Sequence, residues 1–95
     1  MKSPILVNSR DMARHHPGQF CRPPRQIRNL VGAGDNVNVS NCRECFWVKV
    51  THRTDEDILT GVVESDLFVT PLKSGELIRF HIDNVWEAEL NGGPR

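Results

Sequence analysis

Between Glu44 and Glu89 apolar side chains recur at every second position, and each run closes on a turn signal. Phe46, Val48 and Val50 point one way, while Cys45, Trp47, Lys49 and Thr51 point the other. Ile78, Phe80 and Ile82 repeat the pattern, with Leu77, Arg79 and His81 opposite. A period of two is that of a strand with one buried face, and a helix cannot sort these residues so. The chain is therefore expected to be mainly β.

The predicted strands are Val37–Val39, Cys45–Thr51, Ile58–Glu64, Leu67–Thr70, Glu76–Ile82 and Val85–Glu89, joined by short polar connections. Gly61 falls inside one of them, where it weakens pairing but permits a sharp bend or bulge. Five or six short, curved antiparallel strands suggest closure into a small SH3-like barrel, which removes most exposed edges.

The N-terminal third reads differently. Asn8 or Ser9 suits the cap of a short helix, Asp11 its first turn, and His15-His16-Pro17-Gly18 its end. The Pro23-Pro24 pair makes the next stretch extended. Pro24 then fits the first turn of a second helix through Gln26, Ile27, Leu30 and Val31, closed by Gly32. The glycines of Gly32-Ala33-Gly34-Asp35 make a turn into the sheet. They lack the Lys-Ser/Thr of a Walker loop and the third glycine of a dinucleotide fingerprint. The expected organisation is one domain. Residues 1–35 form a helical and extended segment packed on a barrel of residues 36–90, and residues 91–95 form a tail.

A chain of 95 residues buries about 60–65% of its unfolded surface, which leaves room for one core and little for an elaborate buried active site. Apolar residues at 38% and charged ones at 25% are a globular balance. No apolar run reaches the roughly 18 residues of a spanning helix, and the N-terminus turns polar too soon for a signal peptide. No membrane association is expected, and the cytoplasm is the default compartment. The zero net charge hides an asymmetry: residues 1–45 carry seven basic and three acidic side chains, residues 46–95 five and nine. The basic half is the better candidate for a polyanion, although the halves can also neutralise one another when packed. A pI near 6.9 is far from that of a dedicated nucleic-acid binder.

Three groups of residues resemble something known: Glu44-Cys45-Phe46-Trp47-Val48-Lys49-Val50, Ile58-Leu59-Thr60-Gly61-Val62-Val63, and Leu72-Lys73-Ser74-Gly75-Glu76-Leu77-Ile78-Arg79-Phe80 with Asn84-Val85. They are similar to the F-W-V-x-V strand, I-x-G-x-V strand and L-K-x-G-D-x-I-x-F turn and strand of a bacterial family of small β domains, domain-of-unknown-function family 2314. The resemblance covers about the last half of the chain. Cys45 stands where a basic residue is usual, and Glu76 where Asp is. The resemblance implies a compact β module and brings no activity, since none is established for that family.

The chemistry-bearing residues form no recognisable catalytic set. Cys42-Arg43-Glu44-Cys45 is a C-x-x-C spacing that can share one zinc, with Cys21, His15, His16 or His52 as further ligands. The second tight pair of a complete zinc pattern is missing, and two hairpin cysteines are the plainer explanation. An odd count of three cysteines argues against a secreted disulfide framework, and a redox pair would open a helix rather than precede a strand. Asp55-Glu56-Asp57 lacks the spacing of a calcium loop and suits a solvated turn. No G-x-S-x-G elbow is present. The expectation is no cofactor and no enzyme.

Trp47 carries the functional argument. Alternation turns it away from the core, so its ring is either covered or a contact site. The N-terminal segment can cover it, through Ile27, Leu30 or the prolines. Otherwise Trp47, Lys49, Arg79 and His81 make an aromatic and basic patch for a partner segment or an unpaired base. Arg25 and Arg28, with Arg22 and the prolines, form a basic stretch for a partner or a phosphate backbone. The expected function is non-catalytic binding to an unidentified protein partner. Nucleic acid binding through the basic half and a zinc-stabilised module through Cys42 and Cys45 are the alternatives.

Overall fold

The computed structural model describes residues 3–15, 23–41, 43–67 and 72–91. Two short helices, α1 (Ser9–His15) and α2 (Arg25–Leu30), precede β1 (Asn36–Ser40), β2 (Cys45–Arg53), β3 (Ile58–Val63) and β4 (Leu77–His81). A 3-10 turn, Ile82–Asn84, then leads into β5 (Glu87–Glu89). All pairings are antiparallel, in the order β4-β3-β2-β1-β5. The mainly β expectation holds. Among the described residues the expected closure does not appear, because β4 and β5 lie at opposite ends of a single open sheet.

Strand alternation survives as burial. Phe46, Val48 and Val50 of β2, Val37 and Val39 of β1, Leu59 and Val63 of β3, and Ile78 and Phe80 of β4 fill the inner face. Cys45, Lys49, Thr51, Leu77 and Arg79 are exposed on the outer one. Between Val50 and His52 the β2–β3 register slips by one residue, and Gly61 stands opposite Val50 at that slip. A Cβ at Gly61 would overlap Val48 Cγ1 and sit 2.8 Å from the Lys49 carbonyl oxygen. The bulge and the missing side chain together let the sheet coil over its core.

The β2–β3 connection is held by Thr54, whose Oγ1 accepts from the N–H groups of Glu56 and Ile58, both at 3.3 Å. Asp57 completes it with φ 63°, in the left-handed region that Asp tolerates better than most residues. Asn41 Oδ1 does similar service before β2, accepting from Arg43 N–H at 3.0 Å and Glu44 N–H at 2.9 Å.

Several boundaries differ from expectation for packing reasons. The second helix ends at Leu30, not at Gly32; Val31 is extended and only 2% exposed, because its side chain joins the core. The last strand begins at Glu87 rather than Val85, since Ile82 and Val85 are drawn into the core by the 3-10 turn. That turn is closed reciprocally: His81 Nδ1 accepts from Asp83 N–H at 3.0 Å, and Asn84 Oδ1 accepts from His81 N–H at 2.9 Å. Leu67 is in no strand, and residues 68–70 of the expected sixth strand lie outside the described residues.

The N-terminal segment is sewn to the sheet. Val7 N–H donates to the Ser40 carbonyl at 2.7 Å, and the fully buried Ser9 donates through Oγ to the Asp83 carbonyl at 2.8 Å. Asn84 Nδ2 reaches the carbonyls of Leu6 and Val7. Among the described residues no helix is long and apolar enough to cross a membrane.

Candidate functional site

The outer face of the sheet is built by cross-strand pairing. Glu89 of β5, Asn36 of β1, Lys49 of β2, Val62 of β3 and Leu77 of β4 stand opposite one another in a single row. In the neighbouring row Trp47 faces Asn38, which in turn faces Glu87. Trp47 is half-buried and lies diagonal to Val62, a spacing that a large ring spans. Trp47, Val62 and Leu77 thus define a diagonal apolar track across β2, β3 and β4, and Leu77 is 45% exposed.

Pro23, Pro24 and Ile27 are among the candidate covers of Trp47. They line an apolar groove of about 320 Å³ with Trp86, Ala88 and Leu90. Leu30, the other candidate cover, is 43% exposed.

The six residues expected to bind divide into two places. Trp47 and Lys49 are adjacent on the outer face of β2. Arg79 shares that face, but it pairs with Thr60, two strands away and one row further on. At ordinary strand spacings that puts it roughly 12 Å from Lys49 and roughly 16 Å from Trp47. His81 joins Arg25 and Arg28 in a polar cleft of about 320 Å³, with Asn29, Arg53, Asp57, Ile82 and Asp83.

Arg53 organises that cleft. Its Nη1 donates to the carbonyls of Arg28 at 2.7 Å and Val31 at 2.8 Å, and its Nη2 to Asp57 Oδ1 at 2.7 Å. The guanidinium therefore ties the end of α2 to the β2–β3 hairpin. Its hydrogen bond, and then its charge, hold the Asp57 carboxyl below the usual aspartate range, with a smaller contribution from His81. Because His81 Nδ1 accepts from Asp83 N–H, the neutral ring carries its proton on Nε2. The walls are guanidinium on one side and carboxylate and imidazole on the other.

The zinc alternative loses one ligand to strand geometry. Cys45 is exposed at the start of β2 and His52 lies seven residues along the same strand, about 23 Å away, so the two cannot share an ion. Cys21, Cys42 and His16 lie outside the described residues. Among the described residues no three His, Cys, Asp or Glu side chains are grouped to hold a metal.

Sequence reasoning missed Val62, which lies diagonal to Trp47 only through register, Leu77, which stands opposite Val62, and Arg53 with Asp57, which pair across a turn. Their one local signal was a basic and an acidic residue four apart. No protein-family model, no curated protein and no solved structure matches the chain.

Proposed function

We propose that this chain is a non-catalytic binding module that seats a protein partner on the outer face of its sheet, around Trp47. The observation that carries this is the apolar track Trp47–Val62–Leu77 on the side of the sheet facing away from the core, with Lys49 and Arg79 on its flanks. Interface hot spots favour Trp and Arg in partly desolvated settings, and an apolar centre with a charged rim is their usual form. The partner segment that fits has an apolar anchor for the track and a carboxylate for Arg79, at the end of the sheet away from Glu87 and Glu89 of β5. We read the fold as an SH3-like partly open barrel. The β1–β4 meander, the 3-10 turn and the return of β5 to β1 support that reading.

Nucleic acid fits this face less well. Glu87 lies in the Trp47 row and Glu89 in the Lys49 row, where carboxylates repel a phosphate backbone.

The test compares wild type with Trp47→Ala in capture of a partner, followed by titration of the purified pair. Loss of binding with a nearly unchanged thermal midpoint is expected. A fall of about 10 °C or more would make the ring a packing element, and salt-steep binding to single-stranded nucleic acid would replace the protein partner.

A further inference from the structure

The β3–β4 ladder decides which way each backbone group of β4 points. Val63 N–H donates to the Glu76 carbonyl at 2.9 Å, and Ile82 N–H donates to the Asp57 carbonyl at 3.0 Å. In an antiparallel pair hydrogen-bonded positions alternate, so Ile78 and Phe80, opposite Gly61 and Leu59, are bonded to β3. Leu77, Arg79 and His81 therefore turn their N–H groups to the outer edge. The last of these is already used, because His81 N–H donates to Asn84 Oδ1. Leu77 and Arg79 keep an N–H and a carbonyl each on an edge where β4 has no strand partner among the described residues.

We propose that this edge of β4 is where the partner docks, as an extended segment that adds a sixth strand beside Leu77 and Arg79. This rests on the outer-face reading above and names the form of the ligand. Main-chain bonds to Leu77 and Arg79 supply a register, and the same two residues present side chains on the outer face. The added strand continues the row Glu89–Asn36–Lys49–Val62–Leu77, so an apolar residue opposite Leu77 extends the track. Two positions along, a carboxylate meets Arg79. For a second copy of this chain, the antiparallel register centred on Arg79 is disfavoured, because it would set two guanidinium groups face to face; self-pairing in another register is an outcome of the test. The ligand class is therefore a short acidic extended peptide, with Val, Ile or Leu two positions from Asp or Glu.

The test uses the full chain and an acetylated, amidated threonine peptide of about seven residues carrying valine and glutamate two positions apart. A peptide with lysine in place of glutamate is the control. Amide hydrogen exchange is read residue by residue. The expected result is slowing of about tenfold or more at Leu77 and Arg79 with the glutamate peptide. Ile78 and Phe80 should be unchanged, and the lysine peptide should have little effect. Arg79→Glu should invert the preference between the two peptides. Failure of both peptides to slow these amides overturns the edge site. If the Trp47 indole signal still shifts, the outer-face reading survives alone. Concentration-dependent protection of Leu77 and Arg79 without peptide would overturn it in favour of self-pairing.

Discussion

Asp35 Oδ1 accepts a hydrogen bond from the backbone N–H of Asn91 at 2.8 Å, across 56 positions of sequence. The other oxygen of the same buried carboxylate accepts from Gly32 N–H, also at 2.8 Å. One side chain thus holds the turn entering β1 and the segment leaving β5, two places that local sequence pattern treats as unrelated. Asp35→Ala leaves both donors without their acceptor and should cost about 2–3 kcal/mol in chemical denaturation. Asp35→Asn keeps an acceptor oxygen and should cost less. Equal stability of Asp35→Ala and wild type would show that water replaces the carboxylate.

Arg53 makes three hydrogen bonds from a side chain that is 18% exposed. Arg53→Met keeps the aliphatic stem and deletes the fork, so the carbonyls of Arg28 and Val31 lose a charged donor. A loss of about 2–3 kcal/mol is expected, with faster amide exchange concentrated in α2. Arg53→Lys, with no planar fork, should recover only part of it.

Asp57 should titrate below the ordinary aspartate value of about 3.9, and should return toward it in Arg53→Met. A carboxyl whose folded value is depressed adds stability above its unfolded value, and that stability disappears as pH falls through the folded one. Wild type should therefore lose stability on acidification below about pH 4 more steeply than Asp57→Asn, while being the more stable of the two at neutral pH. Asn tolerates the left-handed backbone at this position, which isolates the charge. Carboxyl NMR titration and denaturation at several pH values check both halves.

Gly61→Ala should destabilise by about 1–3 kcal/mol through overpacking against Val48 and the Lys49 carbonyl. Adding Val48→Ala removes the side-chain overlap but not the carbonyl contact. The double variant should therefore lose less than the two single losses added together, a coupling that a double-mutant cycle measures.

What the sequence exposed and what it hid divide along physical lines. Alternation in Phe46–Val50 and Ile78–Phe80 assigns each side chain to a face, because the strand period is local. It says nothing about columns. Trp47 and Arg79 share a face as expected, yet register sets them two strands apart, and Val62 and Leu77 become the nearer company of the indole. Closure was equally illegible: whether β4 reaches β5 depends on coiling summed over five strands, which no window of residues records. Arg53 and Asp57 are four apart, but across a turn that spacing carries no prior expectation of contact. Alternation alone places His81 with the outer patch, whereas its ring is taken up by the cap of the 3-10 turn and lines the cleft.

The stitching of Leu6, Val7 and Ser9 to Asn84, Ser40 and Asp83 sets a timetable for synthesis. Residues 6–9 wait for hydrogen-bond partners that are translated later, and β1 likewise waits for β5. Residues 6–9 therefore stay unsatisfied until Asp83 and Asn84 emerge, and slow decoding between Asn41 and Phe80 should lengthen their exposure to chaperones and proteases.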